Sequence, residues 1–352
     1  MTAGAQDIPA CISPLYRKDT VTIRFLGDIM MHTRQIETAH RGDGTFDFSS
    51  YFSHIQNKIE SADIAVANME FTLGGKPYSG YPSFSAPDAY GKYLAECGFD
   101  IFLVANNHIF DKGTDGAERT LRVYRELEKQ YGINICGLAE NEQARASNMP
   151  LKKVSKGIRI AFINFTYGTN LGSSRHWPKT NYMNDKVLIT DALRRSEDCD
   201  VTIVLPHWGT EYELIHSPSQ EATAIMLAEN GADIILGSHP HVPQDIGTVT
   251  DRHVPVIYSL GNAVSNMSAP NTQLELMAEL KIVREEDGDV RLMPIQFTYL
   301  WCSRPGGYSS SYTVIPVKEY IGRRSEWTGK WDYDKMIATY ERVQNIIGIK
   351  DN

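Results

Sequence analysis

The stretch Gly237-Ser238-His239-Pro240-His241 decides how the rest of the chain is interpreted. It directly follows residues 232–236, a short apolar run that is typical of a buried strand. Pro240 disfavours helical geometry at the residue before it, so the two histidines lie in a turn at the strand end. Two imidazoles separated by one residue can bind one metal ion or two adjacent ions. The alternative is that both are ordinary hydrogen-bonded histidines of a loop.

Polar side chains follow several other predicted strands in the same way. These further strand-end residues are Asp28, Glu70, Asn107, His108 and His207. Strand patterns alternate with helical patterns along the chain, which predicts an α/β core with largely parallel sheets. Because the carboxyl ends of parallel strands gather at one edge of a sheet, we expect all these residues to converge with His239 and His241.

The donor set of this predicted site contains imidazole nitrogens and carboxylate or amide oxygens, but no thiolate. Such a set suits one or two divalent ions of Mn, Zn, Fe or Mg, rather than a structural zinc site. Two ions about 3.5–4 Å apart are a common solution for phosphoryl transfer. The alternative interpretation is that some of these residues only cap strands or turns, as Asn and Asp often do.

Composition is that of an ordinary globular protein, and it excludes some functions. The 352 residues are 42% hydrophobic and 22% charged, enough for a large core in one or two domains. A formal net charge of −8 disfavours a non-specific nucleic-acid binder, and an anionic substrate would need a local positive centre such as a bound metal. The five cysteines are scattered and form no CxxC motif, so no disulfide framework is predicted.

The sequence carries few signals about location in the cell. It has no apolar run of about 18 residues, so no transmembrane helix is predicted. The first residues contain no basic region followed by an apolar region, so no intact signal peptide is expected. The expected location is therefore conditional: the cell envelope if a signal or anchor was removed, and the cytoplasm otherwise.

Six motifs, in order, resemble the poly-gamma-glutamate capsule biosynthesis family of the CapA type. They are GDIM (27–30), NME (68–70), ANNHIFDKG (105–113), HWGTEY (207–212), GSHPHV (237–242) and YSLGN (258–262). The resemblance covers about residues 20–266. That family is similar in turn to calcineurin-like metallophosphoesterases. The implied fold is an α/β, metallophosphoesterase-like four-layer sandwich, with two β-sheets face to face and helices outside.

The resemblance implies a role for each of these motif residues. Asp28 stands where metallophosphoesterases have the first metal-ligating Asp, and Glu70 stands where an Asp bridges two metals. Asn107 corresponds to a further ligand. His108 corresponds to the histidine that stabilises the transition state or protonates the leaving group. The remaining implied metal ligands are His207, His239 and His241.

The chain departs from the phosphoesterase pattern at two positions. The first motif there is Asp-x-His, whereas Met30 stands here two residues after Asp28. The bridging position holds Glu70 rather than an Asp. Since alternate residues of a strand face the same way, we expect Met30 to face the cleft and to weaken one metal position. About one tightly held metal per chain would follow; the alternative is that Met30 is simply a core side chain.

Other residues near the motifs have less specific predicted roles. Glu211 is a candidate catalytic acid or base, or else a solvated loop residue. Lys112, Arg34 and Arg175 could meet an anionic substrate. Supporting or wall positions are predicted for Asn68, Asp111, Trp208 and Tyr212. No role is predicted for His32, His216 and His253.

The sequence divides into three predicted segments. Residues 1–19 form a polar lead-in, and residues 20–275 form the CapA-type metallophosphoesterase-like domain. Residues 276–352 are predicted to form a hairpin and a helix packed on the same domain, because a turn signal at 286–289 separates two strand patterns. We expect this last segment to extend or cover a sheet edge and to contribute no metal ligands.

Two functions remain open on the sequence. The first is a metal-dependent hydrolase of capsule or poly-gamma-glutamate biosynthesis or processing, acting on a phosphoester or a γ-glutamyl amide of an anionic substrate. The second is a non-catalytic polymer-handling subunit of a capsule assembly or export complex, with a vestigial metal cleft. The expected partners are an anionic polymer or phosphoester and capsule synthesis or export proteins, with no nucleic acid.

Overall fold

The computed structural model describes residues 19–171 and 176–351. The predictions for residues 1–18 and for Arg175 lie outside these ranges. The described strands are β1 (Asp19–Ile29), β2 (Ile64–Met69), β3 (Ile101–Leu103), β4 (Asn134–Cys136), β5 (Leu138–Ala139), β6 (Leu151–Ser155), β7 (Ile158–Thr166), β8 (Lys179–Thr180), β9 (Val201–His207), β10 (Ile234–Leu236), β11 (Ile246–Val249), β12 (Val254–Ile257), β13 (Asn262–Val264), β14 (Leu274–Arg284), β15 (Val290–Leu292), β16 (Gln296–Ser303) and β17 (Thr313–Pro316). The described helices are α1 (Thr33–Ala39), α2 (Gln56–Glu60), α3 (Asp88–Glu96), α4 (Gly113–Tyr131), α5 (Glu142–Asn148), α6 (Lys186–Arg194), α7 (Pro218–Glu229), α8 (Val317–Tyr320) and α9 (Lys330–Ile347), with a 3₁₀ turn at Arg324–Glu326. Within these ranges, no helix combines the length and the apolar character needed to cross a membrane.

The larger sheet has the strand order β17-β16-β14-β1-β2-β3-β4, with β13 also beside β1 and β15 beside β14. Strands β1 to β4 are parallel, and β14 runs antiparallel to β1. The register places Phe25 beside Val66, and Val66 beside Ile101. The carboxyl ends of the parallel strands therefore lie along one edge of this sheet.

The smaller sheet has the strand order β11-β12-β10-β9-β7-β6. Its four inner strands, β12, β10, β9 and β7, are parallel, while β11 and β6 pair antiparallel at the two edges. Strands β5 and β8 form a separate pair. The carboxyl ends of β9 and β10 lie side by side, since His207 forms an isolated bridge with Ser238.

The two sheets pack face to face, and helices cover both outer faces. Val66 of β2 belongs to the apolar cluster that also holds side chains of β7, β9 and β10, whereas its neighbours Ala65 and Ala67 belong to the cluster under α3 and α4. This split follows from the two-residue period of a strand. A third cluster joins β9 and β10 to α6 and α7. The predicted four-layer α/β sandwich is confirmed.

The C-terminal segment is part of the larger sheet. β14 pairs with β1 from Asp19 opposite Arg284 to Phe25 opposite Ala278. β16 and β17 follow beside it, and α9 packs against β14 and β16 within the cluster that fills the layer between the sheets. The predicted division between residues 275 and 276 therefore falls inside a strand, and residues on both sides of it share one sheet.

A close backbone contact at Gly27 connects β1 to the chain segment that links the two sheets. Residues 258–261 lead from β12 of the smaller sheet to β13 of the larger sheet. The N–H of Asp28 donates to the carbonyl of Gly261 at 2.9 Å. A Cβ atom on Gly27 would lie 1.9 Å from that carbonyl oxygen, so no larger residue fits without a backbone shift. This contact fixes Asp28 at the place where the strands of both sheets end.

Candidate metal centre

Side chains from the ends of four parallel strands converge where the two sheets meet. Asp28 lies at the end of β1, Glu70 follows β2, and His207 ends β9. His239 and His241 lie in the turn after β10. All five residues are at most 3% exposed. The structure thus brings together five of the predicted site residues in one buried cluster.

Glu70 is the focus of this cluster. Both of its carboxylate oxygens are buried and have no hydrogen-bond partner among the described residues. Its Oε1 instead faces three imidazole Nε2 atoms, of His108 at 3.9 Å, His207 at 3.8 Å and His241 at 3.7 Å. These distances exceed hydrogen-bonding range. They match the spacing of ligand atoms around one ion, because metal–ligand bonds of about 2.0–2.2 Å place neighbouring ligands roughly 3–4 Å apart.

Two groups of potential ligands share Glu70. Asp28, Glu70 and His207 form the first group, and Glu70, His239 and His241 form the second; within each, the ligand atoms lie within 4.8 Å of one another. The Nδ1 atom of His239 is also buried without a partner among the described residues. A carboxylate common to two ligand groups suits a pair of neighbouring ions. Oxygen and imidazole donors of this kind fit Mn, Fe, Zn or Mg.

Hydrogen bonds from outside the cluster orient two of the imidazoles. The Nδ1 atom of His207 lies 2.9 Å from the Ser238 hydroxyl. The Nδ1 atom of His241 lies 2.9 Å from the Asn262 amide oxygen. Because these contacts engage Nδ1, the Nε2 atom of each ring is left to face Glu70. Such supporting bonds fix the ring orientation and the tautomer of metal-ligating histidines.

Asp28 is held by two neighbours, and the backbone at the paired histidines is strained. Its Oδ1 accepts from the Asn68 amide at 2.7 Å, and its Oδ2 accepts from the His239 N–H at 3.1 Å. His239 and His241 have φ angles of 99° and 60°, which L-residues rarely adopt. Such a conformation costs about 1–3 kcal/mol per residue and is concentrated at functional sites.

Asn107 and His108 reach the cluster from the loop after β3. The Asn107 amide oxygen lies 2.9 Å from Nε2 of His207, so both atoms point to the same place. His108 is oriented by Asp111, whose Oδ2 lies 2.7 Å from its Nδ1. The opposite ring nitrogen of His108 is the one that faces Glu70. This arrangement directs Nε2 of His108 at the centre.

Burial and repulsion make the ion-free cluster electrostatically unfavourable. Burial, and then the charges of Asp28 and Glu211, raises the pKa of Glu70 well above its ordinary range. Burial, and then the neighbouring imidazoles, lowers the pKa of His207 and of His239. A bound divalent cation favours the ionised form of the carboxylates and keeps the imidazoles neutral as ligands. The chemistry of the donors therefore fits such a cation.

Glu211 and two tyrosines form the rim of the site. The Tyr167 ring lies 4.5 Å from the His239 ring and is 42% exposed. The Tyr212 ring lies 6.3 Å from the His241 ring, on a backbone with a φ of 70°. Burial, followed by a hydrogen bond with Glu211, raises the pKa of Tyr212. Glu211 is thus placed at the rim, within electrostatic reach of the buried carboxylates.

Met30 differs from its predicted orientation. It is 2% exposed and belongs to an apolar cluster together with Ile29 and Met31. β1 ends at Ile29, and the pairing register shifts between Asp28 and Ile29. Strand alternation therefore does not extend to position 30, and the structure favours the alternative of a core side chain.

Other residues considered in the sequence have structural contacts. The Trp208 indole donates to the carbonyl of Tyr258 at 2.9 Å and is buried as a wall residue. His216 lies 2.9 Å from an Asp245 oxygen and stacks on the Tyr258 ring. His253 is exposed in a turn. Neither histidine belongs to the groups of potential ligands found among the described residues.

Two residues without a predicted role, Ser238 and Asn262, contact candidate ligands, and a third, His32, reaches His108 only through Phe84. Ser238 and Asn262 hydrogen-bond to His207 and His241. Their position inside the quoted motifs is the signal in the sequence that could have indicated this supporting role. His32 was assigned no role, yet its ring packs edge-on against Phe84 at 5.1 Å, and Phe84 packs against His108 at 4.6 Å. No spacing rule connects His32 to the other histidines, because the connection runs through Phe84, which is far from His32 and His108 in sequence.

The fold and the centre define an α/β sandwich with a candidate two-ion metal site. Residues 22–267 match the family described as bacterial capsule synthesis protein PGA_cap, and the chain belongs to that family. It is 28% identical over 278 residues to the capsule biosynthesis protein CapA of Bacillus anthracis, a match that covers 74% of this chain and 64%, less than two thirds, of that protein. It is 26% identical over 310 residues to the PGA biosynthesis protein CapA of Bacillus subtilis strain 168, covering 84% and 76%. The resemblance found in the sequence is confirmed.

Solved structures with a similar arrangement include two hydrolases. A phosphatase from Mycoplasma pneumoniae is 16% identical, with a TM-score of 0.48, and the match covers 81% of this chain and 95% of that one. A 5'-nucleotidase precursor from Thermus thermophilus is 12% identical, with a TM-score of 0.48, covering 93% and 59%. Neither similarity carries an activity over to this chain.

Proposed function

We propose that this chain is a metal-dependent hydrolase that acts on a phosphoester or a γ-glutamyl amide of an anionic substrate in capsule or poly-gamma-glutamate biosynthesis. The observation that carries the proposal is the environment of Glu70, a buried carboxylate that has no hydrogen-bond donor among residues 19–171 and 176–351 and faces three imidazole nitrogens. A buried charge without a partner is strongly unfavourable, and a cation would supply the partner. Membership of the capsule synthesis family supports the choice of pathway.

The residues proposed to hold the metal are Asp28, Glu70, Asn107, His207, His239 and His241. A divalent cation bound there would polarise the ester or amide oxygen and lower the pKa of a bound water to about 7. The protein's own contribution is to fix these donors in place. Ser238 and Asn262 hold two of the rings, and the Asp28 carboxylate is held by the Asn68 amide.

The proposed catalytic acid is His108. Its Nδ1 is engaged by Asp111, so the proton available to a leaving group is the one on Nε2, which faces the centre. A positioned general acid contributes about 10²- to 10⁴-fold to a rate. Glu211 is proposed as a second acid or base, acting from the rim on a substrate that enters between Tyr167 and Tyr212.

The experiment measures metal content and turnover on the same preparations. Protein purified without chelators is analysed for metals, and then assayed with para-nitrophenyl phosphoesters and with poly-γ-glutamate. The Glu70→Ala and His207→Ala variants should lose both metal and activity. His253→Asn is the matched control, because it removes an exposed histidine at a φ of 52°, which Asn tolerates. Wild-type protein that takes up no divalent metal would contradict the proposal.

The second candidate function, a non-catalytic polymer-handling subunit, is favoured by one observation. The position that carries an imidazole in the phosphoesterase pattern holds Met30, and Met30 packs in the core. If the purified protein binds metal and polymer but cleaves neither class of substrate, this second function replaces the first. The partners would then be proteins of capsule synthesis or export.

A further inference from the structure

We propose that three cations of the C-terminal segment, Arg304, Lys335 and Arg342, form a track that binds the carboxylates of a polyanionic substrate chain beside the metal centre. This inference rests on the proposed function and names the region that binds the substrate beyond its reacting group. The track is defined by the segment of residues 262–273, which comprises β13 and the loop that leads to β14, and which contacts all three cations.

The inner end of the track lies next to the site. The segment starts at Asn262, the first residue of β13, which is hydrogen-bonded to His241. Arg304 donates to the carbonyl of Met267 in this loop. Arg304 is also close to His32: burial is the main reason that the pKa of His32 falls to about 4, and the charges of His241 and Arg304 lower it further. The N–H of Asn266, in the same loop, donates to Nδ1 of His32 at 3.3 Å, so the inner end of the track lies next to His32.

The outer end of the track is on α9. The Lys335 ammonium donates to the Gln273 side chain at 2.5 Å, and the Arg342 guanidinium donates to the Asn271 side chain at 2.5 Å. Both residues are exposed. Seven residues separate them, so they lie on one face of the helix with Cα atoms about 10 Å apart. Burial, and then the charge of Arg304, lowers the pKa of Lys335; the charge of Asp332 opposes this change, and that of Arg342 adds to it.

The cations of the track form no ion pair within the described part of the chain, although the buried Asp332 carboxylate lies close enough to Lys335 to favour its charged form. Neither Arg304, Lys335 nor Arg342 is within ion-pair distance of a carboxylate among the described residues, whereas Arg284 and Arg324 of the same segment each pair with an aspartate. The Nε atom of Arg304 is buried without a partner there. Since like charges repel, a bound anion relieves the repulsion between these cations.

The chemistry that fits this track is an extended chain with regularly spaced carboxylates. The cations contact successive positions of one loop, rather than surrounding a pocket that would hold one compact anion. The family is described by capsule synthesis, and one relative is named for PGA biosynthesis, which agrees with a carboxylate polymer. The chain as a whole carries a net charge of −8, so a polyanion would be repelled elsewhere and attracted here.

The test compares two double variants with the same change of charge. Lys335→Gln with Arg342→Gln removes the outer track on α9. Arg122→Gln with Lys129→Gln removes one Arg and one Lys, seven residues apart and exposed, from α4. Binding of fluorescein-labelled poly-γ-glutamate to the full chain is measured by anisotropy at low salt, with a chelator present so that nothing is cleaved. Turnover of a para-nitrophenyl phosphoester, too short to reach α9, is measured with metal restored.

The double variant on α9 should bind the polymer about 5- to 30-fold more weakly, as expected for two surface charge contacts. Its metal content and its turnover of the short ester should be unchanged. The α4 pair should change binding less than twofold. Three results would overturn the proposed track. They are an equal loss of polymer affinity in both double variants, no loss in the α9 double variant, or a preference for polyphosphate over poly-γ-glutamate. Absence of turnover on every substrate, with the binding difference intact, would instead overturn only the proposed hydrolase activity.

Discussion

The Nδ1 atom of His108 lies 2.7 Å from a carboxylate oxygen of Asp111, three residues further along the chain. The same Asp111 oxygen accepts the N–H of Phe84 at 2.8 Å. The carboxylate is thus held by a second loop, and it turns Nε2 of His108 toward Glu70. The imidazole is therefore oriented before any substrate arrives, as the role of general acid proposed for it requires.

Replacing Asp111 should lower activity without removing metal. In Asp111→Asn the amide oxygen can still accept from Phe84, but the negative charge that fixes the His108 proton is lost. We expect kcat to fall about 10- to 100-fold, the usual effect of losing a supporting carboxylate. Asp115→Asn, an exposed change in the first turn of α4, serves as the control. Loss of metal from Asp111→Asn would show that Asp111 supports the ligands rather than the acid.

Asn262 should matter for metal affinity although it is not proposed as a ligand. Its amide oxygen holds Nδ1 of His241 at 2.9 Å, and its amide nitrogen donates to the carbonyl of Thr272. The Asn262→Ala variant should bind Mn or Zn about 10- to 100-fold more weakly in equilibrium dialysis. Asn262→Asp keeps the acceptor and should retain most of the affinity. An unchanged affinity in Asn262→Ala would remove this residue from the site.

Glu275 should make the stability of the metal-free protein depend on pH. Burial raises the pKa of this carboxyl to about 8, although the Gly27 N–H donates to it at 2.6 Å. Between pH about 4.5 and 8 the unfolded chain has released a proton that the folded chain keeps, so the free energy of unfolding falls as pH rises through this window. Glu275→Gln should raise Tm at pH 8 by roughly 3 °C or more, and should change it little at pH 4.5.

The control for this experiment lies four residues away on the same strand and should give the opposite sign. Burial opposes ionisation of Glu279, but contacts with Arg24 and Lys281 outweigh it and lower its pKa. Stability from this carboxylate is present above its unfolded pKa and is lost as pH falls through its folded value. Glu279→Gln should therefore lower Tm at pH 8. A rise in Tm for both variants would mean that burial of Glu275 is not the cause.

Met30→His separates the two interpretations of the first motif. Because Met30 is buried among apolar side chains, an imidazole there should lower the free energy of unfolding by about 2 kcal/mol and should add no metal. Met30→Leu keeps the volume and should cost less than about 1.5 kcal/mol. Urea unfolding and metal analysis of both variants decide the question. A metal content that rises in Met30→His would show that position 30 faces the cleft after all.

The gathering of the site could be predicted because it depends on one rule of topology. The site residues lie at or just after the ends of parallel strands, and parallel strands have their carboxyl ends at the same edge of a sheet. These residues are Asp28, Glu70, His207, His239 and His241. The layers could be predicted for a related reason, since alternating strand and helix patterns leave few other ways to bury both faces of a sheet.

What the sequence could not provide was local geometry. The register shift between Asp28 and Ile29 interrupts strand alternation, and nothing in the residue types marks it, so Met30 was expected to face the cleft. His32 reaches the site through Phe84, a contact between side chains far apart in sequence. The pairing of β14 with β1 likewise depends on long-range packing, which the residue types alone do not specify.

The proposed ligands are divided between the two sheets, and this has a mechanical consequence. Asp28 and Glu70 lie at or just after the ends of strands of the larger sheet, and His207, His239 and His241 lie at or just after the ends of strands of the smaller one. An ion bound by all of them would cross-link the two sheets across the layer where they face each other. Any substitution that lets the sheets shift relative to each other, even far from the centre, should then lower the affinity for the ion. Release of the ion should accompany the first separation of the sheets during unfolding.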